Sequence, residues 1–243
     1  MTALSIIIPT LNEEKYLPLL LASLKGAGLP LDIVVVDAQS TDATVQVAER
    51  YVPDFTGESG LRVLSAPKRG ISAQRNYGAS MAKNSLLLFL DADVIVPPHA
   101  LEEMVAFFTK KELAVASTVI VPPLRDFRGS LIYGLGALFQ RVMLLRGEAY
   151  FAGSCTMCTR EVFENVGGFN EELSVGEDID FSLKAGRLGG ADLLPVVLMV
   201  STRRFKKFGY WRVFSQWSVD ISRRVFGLGE KEGKHDYEFG THD

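Results

Sequence analysis

The 243-residue chain has only two cysteines and three histidines. Cys155 and Cys158 stand in a C-x-x-C spacing with no second pair, so a disulfide framework is excluded. A four-ligand zinc site lacks obvious partners as well, and both thiols are expected to be buried. No G-x-G-x-x-G follows the first apolar run, and neither G-x-x-x-x-G-K-[ST] nor H-E-x-x-H occurs. The signatures of dinucleotide oxidoreductases, P-loop enzymes and zinc hydrolases are therefore missing. Neither sign of charge dominates: 26 Lys+Arg face 29 Asp+Glu, a formal −3, which argues against a nucleic-acid partner. No charge-free apolar run reaches the length of a membrane-spanning helix, the stretch from Gly129 being stopped at Arg141. The first residues lack the basic n-region of a signal peptide. A cytoplasmic protein is expected, with peripheral contact at the inner membrane face as the membrane role left open.

What the chain does have is a rhythm. Apolar runs at residues 4–8, 33–36, 61–64 and 86–90 show no polar alternation, as strands buried on both faces do. Between them, residues 13–25, 42–51 and 72–82 carry apolar side chains at helical spacing, with Ser72 placed to cap the third. The β-α-β-α order predicts an α/β fold, a doubly wound and mostly parallel sheet with helices on both faces. Such sheets bind ligands at the carboxyl ends of their strands. Further along, the pattern predicts a helix over 100–110, a strand over 113–120 and an amphipathic stretch over 130–145. A strand near 151–159, a turn at 167–169, a helix opening at Glu177, a strand-like run over 193–200 and a helix over 210–226 follow.

Three predicted strand ends carry polar residues. Asp91-Ala92-Asp93 follows the run ending at Leu90, and two carboxylates spaced i, i+2 could converge on one hard cation. A second D-x-D, Asp178-Ile179-Asp180, opens a helix instead. Asp37 closes the second strand and could accept from a ribose or a base; the alternative is a turn or capping aspartate. With Ser40, Thr41 and Asp42 available to cap the next helix, Asp37 is expected to be left for a ligand. Pro9-Thr10-Leu11-Asn12-Glu13 ends the first strand.

In this order, Ile6-Ile7-Ile8-Pro9-Thr10-Leu11-Asn12-Glu13-Glu14, Val34-Val35-Val36-Asp37 with Ser40-Thr41-Asp42, Arg75-Asn76-Tyr77-Gly78-Ala79, Leu90-Asp91-Ala92-Asp93, Gly167-Gly168-Phe169-Asn170-Glu171 and Gly176-Glu177-Asp178-Ile179-Asp180 resemble the family 2 inverting glycosyltransferases of GT-A fold. The resemblance extends to non-processive nucleotide-sugar transferases and polyprenyl-phosphate sugar transferases. It implies one domain over 1–226, with a nucleotide-binding half (1–98) and an acceptor half (99–226), followed by a polar tail over 227–243. It also implies a UDP- or GDP-linked sugar donor and a Mn²⁺ or Mg²⁺ cofactor. Pro9, Leu11, Glu13, Val35 and Asp37 would hold the nucleoside. Asp91, with Ala92 beside it, would contact ribose or metal, and Asp93 would ligate the metal. Asp178 would be the general base, with Glu177 as the second candidate.

Lys68, Arg69 and Arg75 are candidate cations for the diphosphate, and Arg125 is another. The basic run from Arg203 to Lys207 resembles a loop that closes over the diphosphate, which singles out Arg204 and Lys207. Leu11 replaces an aromatic common in the family, and Ala38 replaces an acid. The Q-x-x-R-W motif of processive synthases is missing, so one sugar per turnover is expected, delivered to an acceptor sugar or a polyprenyl-phosphate lipid. The competing readings are a catalytically weak sugar-nucleotide-binding or membrane-docking domain, and a sugar-nucleotidyltransferase.

Overall fold

A strand whose side chains are apolar on both faces is stable only between two layers of helices, and this requirement organises the molecule. The computed structural model describes residues 2–123, 126–151 and 154–210, apart from the side chains of Arg204, Lys206 and Phe208. In chain order the strands are β1 (Leu4–Thr10), β2 (Leu31–Asp37), β3 (Gly60–Ser65), β4 (Leu86–Leu90), β5 (Val94–Ile95), β6 (Leu113–Val121), β7 (Cys155–Thr159) and β8 (Gly190–Val200). The helices are α1 (Leu17–Leu24), α2 (Thr44–Tyr51), α3 (Ile71–Met81), α4 (Ala100–Lys110), α5 (Phe127–Leu145), α6 (Arg160–Val166), α7 (Glu177–Gly186) and α8 (Arg203–Phe208).

One eight-stranded sheet has the order β3-β2-β1-β4-β7-β6-β8-β5. β1 lies parallel to β2 and β4, in a register that sets Ile6 beside Ile33 and Leu88. β7 is inserted antiparallel between β4 and β6, pairing Leu88 with Met157 and Val115 with Cys158. β6 and β8 are parallel. The carboxyl ends of β1, β2, β4, β6 and β8 thus share one edge of the sheet.

Period-two alternation sends successive residues to opposite cores. Ile6, Ile8, Ile33, Leu88 and Leu90 enter one core, against Leu17, Leu20 and Leu21 of α1 and Met104 and Phe108 of α4. Ile7, Leu87 and Phe89 enter another, with Phe169 and with Phe181 of α7. Phe169 meets Phe89 edge-on at 4.9 Å and stacks on Phe181 at 4.5 Å. Cys155 and Cys158 are both buried, one in each core, as expected.

Several expected boundaries move. α1 starts at Leu17 rather than residue 13, because Pro18 fits only in a first turn. Ser72 lies inside α3, which Gly70 caps at φ 128°. The two-residue β5 and the helices α6 and α8 were not anticipated, and the basic loop expected after Val200 is helical from Arg203. The helix expected over 210–226 lies beyond Tyr210 outside the described residues, and so does the tail over 227–243.

Candidate functional site

The first two loops at the carboxyl edge are stitched together by side chains. Asn12, at φ 57°, accepts the Thr41 N–H at 2.8 Å, while the Glu13 N–H donates to Thr44 Oγ1 at 2.6 Å. Asp37 is not left free by this arrangement. Its Oδ1 accepts from Ser40 Oγ at 2.5 Å and from Thr10 Oγ1 at 3.2 Å, and its Oδ2 accepts the Ser40 N–H at 2.9 Å. Asp37 organises its own turn, and acceptor capacity for a ligand remains on Oδ2.

Four other residues expected at the donor site are held by packing. The side chains of Val35 and Ala92 are buried in the main core. Pro9 is buried in β1 opposite Val36. Leu11 is half-buried against Val34, Val36 and Ala38.

The acidic centre forms where β4 ends. Asp91 and Asp93 lie on the turn between β4 and β5, so the in-strand argument for their common direction does not apply. Each instead meets its own arginine. Arg75, 3% exposed, donates through Nη2 to Asp91 Oδ1 at 2.9 Å and through Nη1 to Glu177 Oε1 at 2.8 Å. Its guanidinium also lies 5.1 Å over the Phe169 ring. Arg203 grips Glu13 with two bonds of 2.6 and 2.5 Å, and its Nε stands 3.5 Å from Asp93 Oδ2. The aromatic ring of Tyr16 lies 4.6 Å beneath it.

Burial pushes the Asp93 carboxyl up to about 7, with Asp91 and Glu13 adding to the push and Arg203 opposing it. Burial likewise lifts Glu177 to about 7; Asp178 reinforces the shift and Arg75 opposes it. For Arg75 itself, burial disfavours the charge, yet Asp91, Glu177 and Asp178 raise its pKa overall. Asp178 is half-buried in the first turn of α7 and accepts the Ile179 N–H at 2.8 Å.

The remaining predicted cations are dispersed. Lys68 reaches Glu171 at 3.2 Å, and Arg69 Nη2 donates to the Gln39 carbonyl at 3.3 Å. Both line a cavity of about 260 Å³ with Gly70, Ser72, Glu171 and Ser174. Ser72 Oγ there is buried with no hydrogen-bond partner among the described residues. Lys207 is exposed. Arg125 and the Arg204 side chain lie outside the described residues.

The sequence pattern singles out Arg204 and Lys207 and not Arg203. Its distance of 110 residues from Asp93 leaves no local signal, although it stands two residues before the core-directed Phe205. Asn76 was missed too. Its side chain donates to the Phe169 carbonyl and accepts the Phe169 N–H, both at 2.8 Å, and so ties the 167–169 turn to α3. A Cβ on Gly168, at φ 74°, would meet Asn76 Oδ1 at 2.7 Å, which explains a glycine there. Among the described residues no group of three or more His, Cys, Asp or Glu side chains forms a ready metal cage.

Comparison with known proteins bears on the family and the fold. The family model described as "Glycosyl transferase family 2" matches residues 5–167. The poly(ribitol-phosphate) beta-N-acetylglucosaminyltransferase TarS of Staphylococcus aureus is 30% identical over 196 residues, which cover 76% of this chain. They cover 32% of TarS, so the chain spans about a third of that relative. Among solved structures, the mannosyltransferase PcManGT from Pyrobaculum calidifontis, in complex with GDP-Man and Mn²⁺, aligns with a TM-score of 0.70 at 24% identity over 93% of this chain and 65% of that one. S. aureus TarS 1-349 in complex with UDP-GlcNAc aligns with a TM-score of 0.65 at 22% identity over 84% and 59%. At these identities the two structures show a shared fold.

Proposed function

The chain belongs to glycosyl transferase family 2, and from that premise we propose that it moves one sugar per turnover from a UDP- or GDP-linked donor to an acceptor hydroxyl or a lipid phosphate, with inversion and with Mn²⁺ or Mg²⁺ as cofactor. The observation that carries this reading is the pair of carboxylates, Asp91 and Asp93, at the end of a central parallel strand. Sheets of this kind hold their ligands at that edge. Support for the donor class comes from the neighbours described with UDP-GlcNAc and with GDP-Man and Mn²⁺.

The donor atoms suit a hard divalent ion: carboxylate oxygens, one of them buried among like charges so that its ionised form needs a cation. Asp93 and Asp91 would hold it, and when bound it supplies positive charge against the charge that develops on the departing diphosphate. The chain's own residues do the rest. Arg75 orients Asp91, and Arg203 neutralises Asp93 and Glu13 across the crevice. Lys68 and Arg69 add positive charge to the cavity they share with Glu171 and Ser174. Asp37 Oδ2 accepts from the ribose or base, above the apolar surface of Leu11.

Of the two candidate bases, Glu177 is buried and committed to Arg75, whereas Asp178 is more open. Asp178 therefore removes the acceptor proton during in-line attack, worth typically ~10²–10⁴-fold. A phosphate acceptor is already ionised and would draw less on that base.

The test is a thermal-shift panel of nucleotides with and without Mn²⁺. UDP or GDP with Mn²⁺ should raise the melting temperature more than nucleotide alone, and Asp93→Asn should remove the metal-dependent increment while the variant stays folded. No shift for any nucleotide, with or without metal, refutes the donor-site reading.

A further inference from the structure

A surface helix of a globular protein buries one apolar stripe and shows polar residues on the other side. α5 departs from this rule. Its inner face is ordinary: Gly129 and Met143 are buried, Tyr133 packs on the main core, and Phe139 meets Tyr150 edge-on at 5.1 Å. Its outer face is also apolar. Phe127, Leu131, Leu135, Leu138, Val142 and Leu145, each three or four residues from the next, are all exposed. Phe127 is 83% and Leu145 90% exposed, so the stripe is open at both ends of a helix ~28 Å long. A continuous apolar strip of that length is not a scatter of single surface leucines.

The charges beside the strip identify what it faces. Arg128, Arg141 and Arg146 are exposed along its flanks, and residues 127–147 contain no Asp or Glu. Asp126 and Glu148 stand at the two ends of the strip, while its long flanks carry arginines; such a strip suits an anionic lipid surface, with the apolar side chains at the acyl boundary and the guanidinium groups among the headgroup phosphates. A second copy on the same face would set these arginines against one another.

The helix is also placed at the right edge. β6 has the direction of β4, so the chain passes from β6 into α5 at the edge that carries Asp91 and Asp93. Tyr210, which follows α8, donates its hydroxyl to Asp126 at the start of α5, at 2.5 Å.

We infer that α5 is an interfacial helix that docks the protein on an anionic membrane with its catalytic edge beside the lipid. This rests on the proposed function only in its consequence, which is that the acceptor is a membrane-held lipid phosphate and not a soluble sugar.

The full chain should float with phosphatidylglycerol-containing vesicles and stay behind with pure phosphatidylcholine, and added salt should weaken the association. Leu131→Glu/Leu138→Glu should reduce vesicle binding at least tenfold with an unchanged melting temperature, because both positions are exposed. Arg128→Gln/Arg141→Gln/Arg146→Gln should remove the preference for anionic lipid. Failure of the wild type to bind either vesicle overturns the inference. So does wild-type binding by the leucine variant, which would assign the contact to another segment. A dimer that becomes monomeric in the leucine variant without any vesicle binding would assign the strip to a second copy and equally overturn it. The nucleotide thermal shift, measured on the same samples, keeps failure of docking separate from failure of the donor site.

Discussion

Arg75→Met removes a cation held between two carboxylates. In the wild type, the folded state keeps Glu177 near 7 against an ordinary 4.5, even with Arg75 opposing the shift. Because the folded carboxyl binds its proton more tightly than the unfolded one, stability falls as pH rises through the window from 4.5 to about 7 and levels off above it. At ~1.4 kcal/mol per unit this amounts to about 3 kcal/mol. Taking Arg75 away lifts the folded value further, so the window extends upward and the penalty at pH 8 grows. Removing one partner of a buried ion pair typically costs ~3–5 kcal/mol, and here the cost can be relieved by protonating Glu177. Urea denaturation followed by circular dichroism, in EDTA, should show Arg75→Met losing about 3–5 kcal/mol at pH 8 and clearly less at pH 5.5. Adding Glu177→Gln should restore part of the loss at pH 8. Equal losses at both pH values, or no recovery in the double variant, would refute the reasoning, because the buried charge would not then be the source of the cost.

Other substitutions probe separate parts of the molecule. Asp178→Asn should leave the nucleotide thermal shift intact and lower transfer to a hydroxyl acceptor by about 10²-fold or more; parallel loss of donor binding would show that the residue had been misassigned. Gly78→Ala should destabilise by about 1–3 kcal/mol in urea titrations, since its Cβ would meet Ile7 Cγ2 at 2.5 Å and Val36 Cγ2 at 3.0 Å. A stabilised variant would mean that α3 can lift off the sheet without cost.

The central strands were legible because burial on both faces leaves an apolar run, and β1, β2 and β4 appear where such runs stand. The helix starts were less legible: Ser72 offers a capping hydroxyl, but Gly70 takes the cap position, at a positive φ open mainly to glycine. At the site, motif membership and side-chain direction proved to be different properties. Val35 sits in the expected motif, yet alternation along β2 turns it into the core. Asp91 and Asp93 were found together for a reason that holds only within a strand, and β4 has already ended at Leu90. Arg203 belongs to a basic run in which composition does not distinguish one cation from the next. With Phe205 seating α8, the Arg203 guanidinium meets Glu13 and Asp93.

The position of β7 between β4 and β6 has a consequence during synthesis. Chain order places β4 well ahead of its partner: Leu86–Leu90 is made roughly 70 residues before Thr159 closes the pairing. At ~5–20 residues per second, β4 waits about 4–14 s with its outer backbone edge unmatched. Leu86-Leu87-Leu88-Phe89-Leu90 carries no charge and no proline to discourage pairing with another chain. A nascent or truncated polypeptide ending before Cys155 therefore exposes a self-pairing edge, and the late-arriving strand that completes the sheet also acts as its guard against aggregation.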